Sequence, residues 1–358
     1  MPVFKILPVL WRTVEEQEEK LKHLTDDQEH LLTMLQHQRK AAIDGTAGSG
    51  KTMLAMAQAQ RFAREPETLK TLLLCYNRPL ADWLSDQLPE PFRDKITATT
   101  YHSLVADWCK KAGIPFKPHK GDQDFWEYEA PEMLENAAAI VPSEEKFQAV
   151  VVDEGQDFRA LWWDSLEKVF RETTADTPFY VFYDPKQNLF VEHPSLPAAL
   201  GRPFTLPVNC RNTQAIARHC GEIIHTEITV KASSPEGHPP KHLTARDLKA
   251  AIAATTKQVM EWCMPKQGGM KPNQVAVLTG VESDHGWPDQ FDKIPATHDF
   301  DKWRAGEAVL ITTWRRFKGL EADALVLIDN PKSKASEADR YVASSRAKHL
   351  LTVVNIEP

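Results

Sequence analysis

Residues 45–52 read GTAGSGKT and fit the pattern G-x-x-x-x-G-K-[ST], with the short apolar run Ala41, Ala42, Ile43 before it and a helix-like run, 53–62, after it. That strand, loop and helix context is what a phosphate-cradling loop requires. Gly45, Gly48 and Gly50 let the backbone curl around Thr46, Ala47 and Ser49 so that successive amide N–H groups point inward, and the following helix offers its positive end to the same anion. Lys51 is placed to reach β and γ phosphates, and the Thr52 hydroxyl to ligate Mg²⁺. The chemistry implied is the binding and cleavage of a nucleoside triphosphate, ATP being the natural case.

A second constellation supports the first. The runs 71–76 (TLLLCY), 149–152 (AVVV) and 179–183 (FYVFY) have strand length, and the last two are followed by Asp153 and Asp184. Buried runs alternating with helical segments predict an α/β fold with a parallel sheet, whose ligands sit at the carboxyl ends of the strands. Asp153 then holds Mg²⁺, and Glu154 orients and deprotonates the attacking water. A Pro-rich passage at 193–207 marks the expected boundary, and strand-like runs recur at 275–279, 308–313, 324–329 and 350–354 with no second phosphate loop. Two similar sheets with one such loop place the expected nucleotide site in the cleft between two domains. Arg211 and Arg346, near the ends of elements in the second half, are candidates to stabilise charge on the transferring phosphoryl; the ordinary fate of an arginine is a surface ion pair.

The totals bound these readings. With 358 residues the chain can hold two domains of ordinary size, and 42% hydrophobic with 26% charged residues describes a globular chain. No run of about eighteen apolar residues occurs, so no membrane partner and a cytoplasmic location are expected. Five cysteines without a C-x-x-C pair indicate neither a disulfide framework nor a zinc site. A formal charge of −7 gives no support to a uniformly basic surface, although a groove can be basic on an acidic protein. Residues 1–24 read as an N-terminal extension containing an acidic helix-like stretch, and Thr25 suits the N-cap of a helix reaching about Gln38. By spacing alone Gln28 on that helix is an exposed residue. The stretch 284–301, rich in aspartate and histidine, reads as a surface loop.

An ordered series of short motifs resembles the superfamily 1 helicases of the UvrD/Rep type. Residues 24–28 look like the Q motif, GTAGSGKT like motif I, 72–84 (LLLCYNRPLADWL) like motif Ia, and 99–104 (TTYHSL) like the T-x-H-S element after it. Residues 153–157 (DEGQD) match D-E-x-Q-D, 184–187 (DPKQ) look like motif III, 209–213 (NCRNT) like motif IV, 313–321 (TWRRFKGLE) like motif V and 341–347 (YVASSRA) like motif VI. The resemblance implies two RecA-like domains, residues 25–195 and 200–358, with residues 105–146 a reduced accessory insertion in the first. It implies that Gln28 reads the adenine edge, Gln187 senses the γ phosphate, Arg211 and Arg346 act as arginine fingers, and Glu321 lies near the ribose or γ phosphate. Tyr76, His102 and Phe190 fall in motifs that face nucleic acid in such proteins, where rings stack on bases; from the residues alone all three are packing aromatics. Trp314 sits in motif V, where strand contacts occur, and an inward-facing tryptophan at a strand end is equally ordinary.

The chain departs from the family pattern at two places. Cys210 stands where motif IV offers a tyrosine for the adenine, and Glu192 where motif III continues to a stacking aromatic. The expected function is therefore a single-stranded-DNA-stimulated, ATP-dependent translocase running 3′ to 5′, with RNA as the alternative strand. The rival is an ATP switch that regulates a partner protein such as a nuclease.

Overall fold

A computed structural model describes Gln28, Leu31 and residues 33–66, 70–118, 124–187, 196–263, 269–280 and 286–357. The expected N-terminal extension, Thr25 and Phe190 lie outside the described residues. The chain divides into two compact units, with the break between Pro207 and Val208.

In the first unit, β1 (Lys40–Gly45), β2 (Thr71–Cys75), β3 (Ile96–Thr100), β4 (Ala149–Val152), β5 (Phe179–Tyr183) and β6 (Phe204–Leu206) form one sheet in the order β3-β2-β4-β5-β1-β6. Every pairing in it is parallel. β1, β2, β4 and β5 were legible as apolar runs; β3 (ITATT) was not, because its polar threonines hide the strand. β6 explains why the break falls at the end of the Pro-rich passage 193–207. Phe204, Thr205 and Leu206 register against Ile43, Asp44 and Gly45, so the chain adds an edge strand to the first sheet before it leaves.

Strand alternation assigns the two faces. Leu72, Leu74, Val150, Val152, Phe179 and Val181 share a core with Trp108 of α3 (Tyr101–Ala112), Leu134 of α4 (Ala130–Ile140) and Trp162 of α5 (Ala160–Glu167). The intervening residues face α1 (Lys51–Arg64), whose Phe62 ring meets Tyr180 edge-on at 5.4 Å. The segment 105–146 expected to be a reduced insertion thus supplies much of one face of this core. Between α1 and α3, α2 (Arg78–Gln87) is N-capped by Asn77, whose Oδ1 accepts from Leu80 N at 2.9 Å.

In the second unit, β7 (Lys241–Ala245), β8 (Val275–Thr279), β9 (Gln290–Phe291), β10 (Ile294–Thr297), β11 (Val309–Thr313), β12 (Ala322–Asp329) and β13 (Ala347–Ile356) form a sheet in the order β7-β13-β12-β8-β11-β10-β9. All its pairings are parallel except β9 with β10. Val275, Val277, Val309, Ile311, Val326 and Ile328 pack with Val259 and Trp262 of α7 (Leu248–Cys263). α6 (Gln214–Ile223) packs on β13 and on α10 (Glu337–Ser344). The stretch expected as a surface loop at 284–301 instead carries β9, β10 and the start of α8 (Phe300–Arg304). Its polar composition conceals a fully buried Phe291 that anchors the hairpin.

Candidate nucleotide site

The phosphate loop joins β1 to α1. Gly48 and Gly50 take φ of 74° and 84°, the left-handed region open to glycine at little cost. Leu54 N then donates to Gly50 O at 3.0 Å to open α1, leaving the earlier amides of the helix free for an anion. Gln28 corrects the reading from spacing. It is buried, its Nε2 donates to Ser49 O at 2.6 Å, and a Cβ on residue 50 would overlap that amide. The loop and Gln28 are therefore fitted to one another. Lys51 Nζ donates to the carbonyls of Gly45 and Thr46, both at 2.9 Å, and lies 3.8 Å from Asp184 Oδ2. The ammonium thus sits over the curl of the loop.

Asp153 and Asp184 end neighbouring strands β4 and β5, and both are fully buried. Asp153 Oδ1 accepts from Glu154 N at 3.0 Å, while Oδ2 is buried without a hydrogen-bond partner. Burial pushes this carboxyl up to about 7, the Glu154 charge adds to the rise, and Thr52 and Lys51 pull the other way. A solitary buried carboxylate oxygen beside a helix-opening hydroxyl fits a hard divalent cation whose remaining ligands are water and phosphate oxygens. Among the described residues no group of three His, Cys, Asp or Glu side chains could cage a metal.

Glu154 adopts φ of 57°, a left-handed conformation that non-glycine residues rarely hold. It begins the turn Gly155–Asp157, whose Gly155 packs so closely on β5 that a Cβ would overlap Val181. The Glu154 carboxylate accepts from Gln156 Nε2, and Gln156 Oε1 accepts from Asp184 N at 2.9 Å. Gln187 Nε2 donates to Asp184 Oδ2 at 2.8 Å, and Lys186 N donates to Oδ1 at 3.0 Å. Burial holds the Asp184 carboxyl above its usual range despite Lys51 nearby. Lys51, Thr52, Asp153, Glu154 and Gln187, all named from the sequence, converge here. Gln156 was quoted within its motif without a role, and only the fold reveals its two bonds.

Tyr76 and His102 meet edge-to-face at 5.5 Å within an aromatic cluster that includes Tyr101, Trp126 and Trp162. Burial, assisted by the Arg159 charge, lowers His102 to about 4.

The remaining sequence-named residues belong to the second unit. Asn209 Oδ1 accepts from Arg211 N and Asn212 N, both at 3.1 Å, and its Nδ2 donates to Asn212 Oδ1 at 2.7 Å. Asn212 Nδ2 donates to Ser345 O at 3.0 Å and Ala347 O at 2.6 Å, the two carbonyls flanking Arg346. The segments bearing Arg211 and Arg346 are thereby clamped together. The signal in the sequence was a pair of asparagines three apart around Arg211. Arg346 is itself buried, with Nε donating to Val342 O at 3.1 Å. Glu321 is half-buried just before β12. Trp314 is buried with its indole N–H donating to Asp339 Oδ1 at 3.1 Å, and a Cβ on residue 280 would overlap its ring.

The phosphate loop, paired strand-end carboxylates and parallel sheet define a P-loop nucleoside triphosphatase site. Residues 28–192, within the first unit, match the family model described as an AAA domain. No curated protein matches the chain. Among solved structures, the chain is similar to the PRRSV helicase (13% identity, TM-score 0.45, covering 88% of this chain and 52% of that one). It is also similar to the arterivirus nonstructural protein 10 helicase with DNA (13%, TM-score 0.41, 89% and 61%). A structure of Pif1 helicases at forked double-stranded DNA is similar too (12%, TM-score 0.47, 92% and 92%). The chain thus spans about half the length of the PRRSV protein it matches. Among the described residues no helix is long and apolar enough to cross a membrane.

Proposed function

We propose that the protein is an ATP-driven motor on single-stranded DNA, a superfamily 1 helicase of the UvrD/Rep type, moving 3′ to 5′. The observation that carries this reading is the convergence of Lys51, Asp153, Glu154 and Gln187 at the strand ends of one unit. The ordered motif series continuing through a second parallel-sheet unit adds the strand-coupled part of the reading. Lys51 and the loop amides hold the phosphates, and Gln28 contributes to the adenine side. Mg²⁺, when bound by Thr52 and Asp153, supplies charge neutralisation on the β and γ phosphates. Glu154 takes a proton from the attacking water, Gln187 reports the γ phosphate to Asp184, and Arg211 and Arg346 stabilise the transferring charge. In this reading Tyr76 and His102 serve the strand, as does Phe190 by its motif alone, since it lies outside the described residues.

A second reading, an ATP switch acting on a partner protein, is favoured by two observations. Tyr76 and His102 contact each other's rings within a cluster, and the chain carries a net charge of −7. Steady-state ATP hydrolysis with and without single-stranded DNA or RNA, across a salt series, separates the two. The motor reading expects strong stimulation by DNA that fades as salt rises. Hydrolysis indifferent to either nucleic acid would replace it with the switch.

A further inference from the structure

We propose that Gln156 is the positioning residue for Glu154, holding its carboxylate in place through a neutral donor; this rests on the reading of Glu154 as the base for ATP hydrolysis. The orientation of the Gln156 amide follows from its partners. A backbone N–H can only donate, so the atom facing Asp184 N at 2.9 Å is the acceptor Oε1. Nε2 is then turned to the Glu154 carboxylate and donates to it. Gln156 is fully buried, and Gly155 beside it is pressed onto β5 so tightly that no side chain fits there. The amide is thus anchored to the backbone at one end and grips a side chain at the other.

Its chemistry suits that task. Glu154 has three rotatable side-chain bonds and stands at a turn, so a donor outside its own side chain fixes the direction of its carboxylate. A Lys or Arg at residue 156 would hold the carboxylate as well but would weaken it as a base by pairing its charge. A carboxamide fixes direction without supplying a full charge. Asp184 N is also the backbone of the residue whose carboxylate takes Gln187 Nε2 at 2.8 Å and lies 3.8 Å from Lys51 Nζ. Gln156 therefore joins the base to the residues on the phosphate side of the site through a single buried amide.

The test is a double-mutant cycle on the full chain. Single-turnover ATP hydrolysis and binding of a non-hydrolysable ATP analogue with Mg²⁺ are measured for the wild type, Glu154→Gln, Gln156→Met and the double variant. Gln156→Met should lower the hydrolysis rate at least about tenfold while analogue affinity stays within about threefold. In the Glu154→Gln background the same change should lower the residual rate by less than about twofold, because the group it positions is gone. Gln156→Asn, which keeps an amide but is one methylene too short to span Asp184 N and the Glu154 carboxylate, covers the case in which the methionine variant does not fold, and should show the same loss of rate. Equal rate losses in the two backgrounds, or an unchanged rate in either variant, would overturn the proposal. Failure of the underlying reading looks different: the wild type would not hydrolyse ATP, or Glu154→Gln would match it.

Discussion

The two units are built alike and finished differently. Each is a mainly parallel sheet with buried apolar residues on its central strands, β4 and β5 in one and β8 and β12 in the other. In the first unit the carboxyl ends of the strands are left polar. β1 opens into the glycine loop, and β4 and β5 lead into the buried Asp153 and Asp184; Gln156 ties Glu154 to the backbone of Asp184, whose carboxylate takes Gln187. In the second unit the comparable glycine after β8, Gly280, makes room for the ring of Trp314, which follows β11, and that indole spends its N–H on Asp339. One fold thus yields an open polar end where small residues leave room, and a packed end where an aromatic ring fills the room. What the second unit contributes is a clamp, with Asn209 and Asn212 holding the Arg211 and Arg346 segments together.

The contrast can be broken from either side. The largest effect is expected at the polar end: Glu154→Gln should slow ATP hydrolysis by at least about a hundredfold while nucleotide binding persists, as read by turnover beside analogue titration. At the packed end, Trp314→Ala should cost about 3–5 kcal/mol in denaturant unfolding of the second unit, since it empties a buried ring site. A loss well under that range would mean the ring is not the filler described. Asn212→Ala leaves the carbonyls of residues 345 and 347 without their donor and should cost about 1–3 kcal/mol. Its turnover should fall by more than its stability explains if the clamp positions Arg211 and Arg346.

The smallest effect concerns the aromatic cluster of the first unit. His102 titrates near 4 in the folded chain, through burial and then the Arg159 charge, against an ordinary value of 6.5. Between those values the unfolded chain binds a proton that the folded one refuses, so stability is full above pH 6.5 and falls as pH drops toward 4. In His102→Phe that part of the slope should vanish, measured as the difference in melting temperature from the wild type between pH 7 and 5. An unchanged slope would place His102 in contact with solvent rather than in the cluster.

Much of the site was legible because its signals are local. A phosphate loop needs its glycines, lysine and threonine consecutive, and a strand-end carboxylate needs only an apolar run before it. Asp153 and Asp184 were found in this way. Gln28 was misjudged from spacing because its burial depends on Gly50, which lies far along the chain. β3 and β9 were missed because threonine and aspartate mask strands whose pairing supplies the stability.

Local order in the sequence determined which groups are available here: a glycine-rich loop of the phosphate-binding pattern, carboxylates after apolar strands and a parallel-sheet scaffold repeated in two halves. Only the tertiary structure decided which groups hold those residues still. Gln156 meets Asp184 across 28 positions, and Asn212 meets Ser345 across 133. β6 returns to the edge of a sheet begun by β1, and Trp314 closes on Gly280. Contacts of this range leave no periodicity or spacing along the chain, because a hydrogen bond or a van der Waals contact depends on where folding brings two atoms and not on the sequence interval between them.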